Sequence, residues 1–99
     1  MTGGIDHLVL PVRDLDAAAE ALRAMGFTTT PTAFHPWGTA NVLVQLQGNF
    51  LEFLTVAQAD KIEDPAPGHF GFGAFNRDFL ARHEGFSMLV FERDRKSVV

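Results

Sequence analysis

The chain has no cysteine and no tyrosine among its 99 residues. The first absence excludes disulfides, thiolate nucleophiles and Cys-ligated zinc. The second removes phenol acid–base chemistry. Any metal ion must therefore be held by His, Asp and Glu. Positive charge is scarce too: 8 Lys and Arg stand against 12 Asp and Glu, for a formal net charge of -4. The one local basic cluster is Arg93, Arg95 and Lys96, interrupted by Asp94. Phosphate binding needs a basic stripe, so no nucleic-acid partner is expected. No apolar run reaches the roughly 18 residues of a membrane span. Met1-Thr2-Gly3-Gly4 also lacks the basic start and long apolar stretch of a secretory signal. The expectation is a cytoplasmic protein with no membrane contact.

With 46% hydrophobic and 20% charged residues, the chain can build one domain over residues 1–99 and is too short for two. Ile5-Asp6-His7-Leu8-Val9-Leu10-Pro11-Val12 reads as a strand with apolar residues on both parities, hence covered on both faces. Period two sets Ile5, His7 and Val9 on one face and Leu8, Leu10 and Val12 on the other. Pro11 cannot donate to a ladder, so the strand ends or lies at an edge there. Asp16 is the expected N-cap of an alanine-rich helix running to Met25 and closed by Gly26. Its expected buried stripe is Ala18, Leu22 and Met25, with Leu15 just before it. A short β-branched stretch, Phe27 to Thr30, leads to the turn Phe34-His35-Pro36-Trp37-Gly38-Thr39. Residues 41–47 alternate, with Val42, Val44 and Leu46 opposed to Asn41, Gln45 and Gln47. Gly48-Asn49 suits a two-residue type II′ hairpin into a strand at 50–56. The order is βαβββ over residues 5–56.

Residues 57–76 read as a polar connection that ends in a Phe/Gly-rich segment, His69-Phe70-Gly71-Phe72-Gly73-Ala74-Phe75. Asn76 is expected to cap a short helix over 77–84, closed by Gly85, with Phe79 and Leu80 buried and His83 exposed. Phe86-Ser87-Met88-Leu89-Val90-Phe91-Glu92-Arg93-Asp94 can then be laid over residues 5–14: an aliphatic strand followed by a charged turn. Met88 falls where His7 stands. Residues 77–99 thus read as a short helix and the opening strand of a truncated second module.

Two groups of side chains carry chemistry. Glu52 stands in an apolar strand, where a carboxylate is costly to bury unless paired, hydrogen-bonded or metal-bound. With His7 it offers imidazole plus carboxylate, a set that suits Zn, Fe, Mn or Ni and leaves positions open for a ligand's oxygens. The bland alternative is a satisfied core histidine and a glutamate on a solvated face. His35, Trp37 and Asn41 form the second group. Trp37 either packs or lines an apolar pocket, and Asn41 either orients a ligand carbonyl or caps a turn. Phe72, with His69, Phe70 and Phe75, belongs either to an aromatic lid over a small-molecule ligand or to the core. No residue is assigned a catalytic role. The chain has no nucleophile elbow, no phosphate-cradling glycine loop and no HExxH.

Three stretches in order, Ile5-Asp6-His7-Leu8-Val9-Leu10, Pro36-Trp37-Gly38-Thr39-Ala40-Asn41 and Asn49-Phe50-Leu51-Glu52-Phe53-Leu54, resemble the vicinal oxygen chelate superfamily. Gly71-Phe72-Gly73-Ala74-Phe75-Asn76-Arg77-Asp78 is similar as well. The nearer resemblance is to the glyoxalase-like domain proteins, and it extends to about Phe91. It implies an α+β fold whose βαβββ module has a curled mixed sheet, with the His7 strand beside the Glu52 strand. It also implies that two modules enclose a metal and substrate cavity. This chain supplies one module and the opening strand of another, without the second-module ligand expected near Met88. A lone module would leave an apolar face wet. A homodimer is therefore expected, closed by docking or by exchange of the strand at 86–91, so that His7 and Glu52 are supplied twice. The implied activity is that of a metal-dependent lyase, isomerase or dioxygenase on a small oxygenated molecule, with His7 and Glu52 holding a divalent ion. The alternatives are a metal-free, antibiotic-sequestering type of binding module, with Trp37 and the Phe cluster stacking on the ligand, and an inactive partial module.

Overall fold

The computed structural model describes residues 4–91. The basic cluster at 93–96, the charged turn that follows Phe91 and the start at 1–3 lie outside the described residues. The elements are β1 (Ile5–Pro11), α1 (Leu15–Ala24), β2 (Ala33–Phe34), β3 (Thr39–Gln45), β4 (Phe50–Val56), α2 (Phe72–Leu80) and β5 (Met88–Phe91), with a 3-10 turn at Ala59–Lys61. The strands form one mixed sheet in the order β2-β3-β4-β1-β5. The fold is α+β, as expected.

The crossover through α1 and two hairpin reversals leave β4 parallel to β1 and hydrogen-bonded to it, with His7 opposite Phe50 and Val9 opposite Glu52. β3 runs antiparallel to β4, pairing Asn41 with Leu54 and Leu43 with Glu52. Paired residues share a face of the sheet. Leu8, Leu10, Ala40, Val42, Val44, Leu51 and Phe53 therefore face α1, while His7, Val9, Pro11, Asn41, Leu43, Glu52 and Leu54 face the other way. On the α1 side the core is centred on Leu15, Ala19, Ala40 and Val42, with Val12 and Phe53 packed against them.

The local chemistry moved several boundaries. α1 is capped by Asp14, whose carboxylate accepts from Ala17 N at 3.0 Å, and not by Asp16. Starting the helix at Leu15 aligns Leu15, Ala19 and Leu22 at i, i+4 and i+7 on the sheet. That rotation turns Met25 out of the expected stripe and leaves it 67% exposed. Gly26 follows the C-cap as anticipated. The second strand is not at 27–30. Thr29 makes a lone bridge to Val44, and β2 forms only beyond Pro31, whose missing N–H interrupts the stretch. The β3–β4 reversal is centred on Gln47-Gly48, one residue earlier than expected: Leu46 N donates to Asn49 O at 2.8 Å. Gly48 supplies the positive φ of +87° as the second central residue, not the first.

The largest change is at α2, which begins at Phe72 behind Gly71 and so takes in residues read as part of the connection. Asn76 is not its cap. It lies inside the helix, wholly buried, with Nδ2 donating to Phe72 O at 3.0 Å and approaching Met88 Sδ at 3.7 Å. Its Oδ1 accepts from Ser87 Oγ at 2.8 Å. A buried amide needs such partners, and these tie α2 to the start of β5. Met88 shares the face of Val9, so α2 lies across one end of the face opposite α1, where Val9, Pro11, Thr39 and Leu54 are sealed. Leu80 is buried and His83 exposed, as expected.

Candidate functional site

The part of that face holding His7, Asn41 and Glu52 is polar. The parallel register sets Glu52 two residues along from Phe50, the residue opposite His7, and so on the same face, and the antiparallel register sets Asn41 beside it on the far flank. Three neighbouring strands thus bring these side chains together. His7 Nε2 lies 3.3 Å from Glu52 Oε1, and Asn41 Nδ2 donates to Glu52 Oε2 at 2.8 Å. The side chains of His7 and Glu52 are only 16% and 10% exposed. Phe50 stacks flat on the imidazole, with ring centroids 4.4 Å apart and planes 7° from parallel.

A bulge completes the site. The β1–β5 register shifts between Ile5 and His7, so Asp6 is an extra residue in β1. Neighbours in a regular strand point to opposite faces; the bulge relaxes that rule, and Asp6 Oδ2 reaches His7 Nδ1 at 2.7 Å. Sequence alternation sent Asp6 to the far face, so its part was missed. Only the adjacency of the two residues hinted at it. Phe50, in the apolar strand that carries Glu52, holds the ring.

A neutral His7 ring would leave one of the two carboxylates without a donor. A neutral imidazole carries one N–H, yet both ring nitrogens of His7 face carboxylate oxygens. One contact then sets lone pair against lone pair unless the ring is doubly protonated or a cation stands between Nε2 and Oε1. Two donors each about 2.1 Å from a shared ion, at right to tetrahedral angles, stand roughly 3.0–3.4 Å apart. The 3.3 Å separation falls in that range. With Nδ1 donating to Asp6, the ring has the outer hydrogen bond that orients a ligating histidine. The separation and orientation of His7 and Glu52 therefore fit two positions about a divalent ion. Among the described residues no group of three or more His, Asp or Glu converges on one point.

The remaining candidates gather elsewhere. A cavity of about 580 Å³ is bounded by Pro36, Trp37, Lys61, Ile62, Phe72 and Gly73, among others, and none of His7, Asn41 or Glu52 lines it. Trp37 is half exposed there, and its indole is backed by His35, stacked at 4.6 Å with planes 14° apart. His35 is pinned in turn by Thr39 Oγ1 at 2.7 Å from its Nδ1. Gly38 lets the loop close: its φ is +103°, and a Cβ there would stand 2.5 Å from Gln58 O. Asn41 was grouped with His35 and Trp37, but strand parity turns it to Glu52. Phe70 and Phe75 pair at 5.6 Å, both exposed beside an exposed His69. Arg77 is held by Asp78 at 2.9 Å and Asp64 at 2.7 Å, and these hydrogen bonds push its guanidinium above the ordinary arginine value.

A glyoxalase-like domain family model matches residues 5–97. The chain belongs to the glyoxalase-like domain family. No curated protein is significantly similar to it in sequence. The glyoxalase-like domain is similar in structure to Streptomyces coelicolor methylmalonyl-CoA epimerase in complex with 2-nitronate-propionyl-CoA. The TM-score is 0.68 at 21% identity, over 92% of this chain and 60% of that one. It is also similar to methylmalonyl-CoA epimerase from Mycobacterium tuberculosis, with a TM-score of 0.64 at 17% identity, over 89% of this chain and 53% of that one. A hypothetical protein from Bacillus halodurans gives 0.61 at 14%, over 90% and 57%. At these identities the likeness is one of fold, and the glyoxalase-like domain spans 60% or less of the length of each of these proteins. Among the described residues no helix is long and apolar enough to cross a membrane.

Proposed function

We propose that the glyoxalase-like domain binds a divalent ion through His7 and Glu52 and acts on a small oxygenated molecule as an isomerase. In this reading a second copy of the chain supplies the rest of the ligand set. The observation that carries it is the buried His7–Glu52 contact at 3.3 Å, a separation that suits two donors sharing one ion. The solved epimerases of similar fold, one of them bound to an acyl-CoA derivative, favour isomerase over the lyase and dioxygenase alternatives.

When bound, such an ion would polarise a carbonyl of the ligand and ease loss of the neighbouring proton. The chain's own part is positional. Asp6 keeps the Nδ1 proton on His7 and frees Nε2; Asn41 fixes the free rotation of Glu52; Phe50 and the strand backbone exclude water from the imidazole.

Metal analysis of protein purified without a histidine tag tests this. One Zn, Fe, Mn or Ni ion per two chains is expected, falling to background in His7→Ala. Metal-free wild-type protein after growth in metal-supplemented medium would overturn it. A second reading, metal-free ligand binding at the Trp37–Phe72 cavity, is favoured by the half-exposed indole braced by His35. Trp37 is the sole tryptophan and there is no tyrosine, so quenching of intrinsic fluorescence by aromatic ligands reads that cavity alone.

A further inference from the structure

Three glycines stand around Trp37 and the start of α2, and the fold requires two of them. Gly38 has a φ of +103° and no room for a Cβ beside Gln58 O. A Cβ on Gly71 would stand 3.0 Å from the Pro65 ring, tighter than ordinary packing. Gly73 is different. It is the second residue of α2, and its φ is not positive. An added Cβ would meet Ile62 Cγ2 at 3.5 Å and Trp37 Cδ1 at 3.8 Å, both ordinary contact distances. Alanine would therefore fit, and it would spare the helix the backbone freedom that glycine forfeits on folding. Its methyl would stand between Ile62 and Trp37, inside the cavity that these two residues line together with Gly73. The chain forgoes a better helix former and keeps that space open. Stability given up where packing does not ask for it is the mark of a binding site.

The wall beside it is prepared as well. Trp37 is 50% exposed, yet its indole does not hang free. His35 stacks on it at 4.6 Å, and the wholly buried Thr39 holds His35 at 2.7 Å. With one face taken by His35, the indole turns its remaining surface to the cavity, among Phe72, Ile62 and Pro36. A braced, planar wall discriminates by shape, because it stacks on a flat ring and loses contact with a puckered one. Lys61 and Glu63 at the rim carry opposite charges, so neither sign of ligand charge is favoured. The volume of about 580 Å³ is that of a small-molecule site.

We propose that Gly73 is a specificity-determining residue of a small-molecule site at Trp37, and that this site takes a neutral, flat aromatic ring against the indole. The inference deepens the second reading above, on which it rests. It needs no metal, since none of His7, Asn41 and Glu52 lines the cavity.

Quinoxaline, a neutral and soluble bicyclic aromatic, tests it against cyclohexylmethanol, whose ring is puckered. Titrated into the chelator-treated wild-type chain, quinoxaline should quench the emission of Trp37 saturably, with the same affinity by calorimetry. Cyclohexylmethanol should bind about tenfold more weakly, the value of one lost stacking contact. Gly73→Ala should melt no lower than the wild type and bind quinoxaline several-fold more weakly. Gly73→Leu, which reaches further into the cavity, should lose saturation altogether. A Gly73→Ala variant that melts lower would show that the fold demands the glycine, and the inference would fall. Undiminished quinoxaline binding in both variants would overturn it too, as would binding that disappears on chelation. Equal affinity for the two probes would leave a ligand site at Trp37 standing and sink the proposed ligand class. If neither probe binds the wild type, the second reading fails along with the inference.

Discussion

The two faces of the sheet are built from the same strands and the same alternation, yet they serve different ends. Toward α1, Ala40, Val42 and Val44 are each 1% exposed, and Leu51, Phe53, Leu8 and Leu10 continue that surface under the stripe of Leu15, Ala19 and Leu22. Polar side chains have little place there. The opposite face is divided. Under α2 it is as dry as the first, with Val9 and Leu54 at 0% exposure, but away from α2 it holds His7, Asn41 and Glu52 in mutual contact. One face supplies stability. The other gives some of it up to hold an acid and an imidazole in place. If this is right, the two properties should separate under mutation.

Leu22→Ala is the strongest way to break the first face. Removing a buried leucine leaves a cavity as well as lost transfer energy, about 2–5 kcal/mol. That is a large part of the roughly 5–15 kcal/mol holding a typical domain folded. Urea denaturation should show the loss as a lower midpoint at unchanged slope, and the folded fraction should keep its full metal content. A loss of metal in step with stability would mean that the two faces are not independent.

Much of this division could be read before any coordinates. Alternation in residues 41–47 and 50–56 separates Val42 and Val44 from Asn41, and parity alone puts His7 with Val9. The meeting of His7 and Glu52 came from the resemblance, which implies that β1 lies beside β4; a crossover and two reversals by themselves only make the two strands parallel. What escaped were features that depend on one-residue shifts. Asp6 joins His7 only through a bulge, and a bulge leaves no mark in hydrophobic periodicity. Asn76 looked like a cap because asparagine favours that position, but the buried contacts to Ser87 and Met88 outweigh local preference. The cavity beside Trp37 forms from three segments distant in sequence, so no local pattern could draw it.

A smaller effect separates the two aspartates that start α1. Asp14→Ala removes the side-chain acceptor for Ala17 N and should cost about 1 kcal/mol. Asp16→Ala forfeits only a favourable charge in the first turn, roughly 0.3 kcal/mol. Thermal melts of the two variants rank them directly. Equal losses would return the cap to Asp16 and with it the stripe that buries Met25.

The smallest expected change in stability is the most informative. In Glu52→Gln the amide oxygen can still accept from Asn41 Nδ2, and the new NH₂ can donate to His7 Nε2. His7 then needs only the one N–H that it gives to Asp6, so every partner is satisfied by a neutral ring. For the fold alone, glutamine is at least as good as glutamate at this position, since no charge is buried. With metal removed by chelator, the variant should match the wild type to within about 1 kcal/mol, while its metal content drops to background. A clear loss of stability in the chelated protein would mean that the carboxylate is structural.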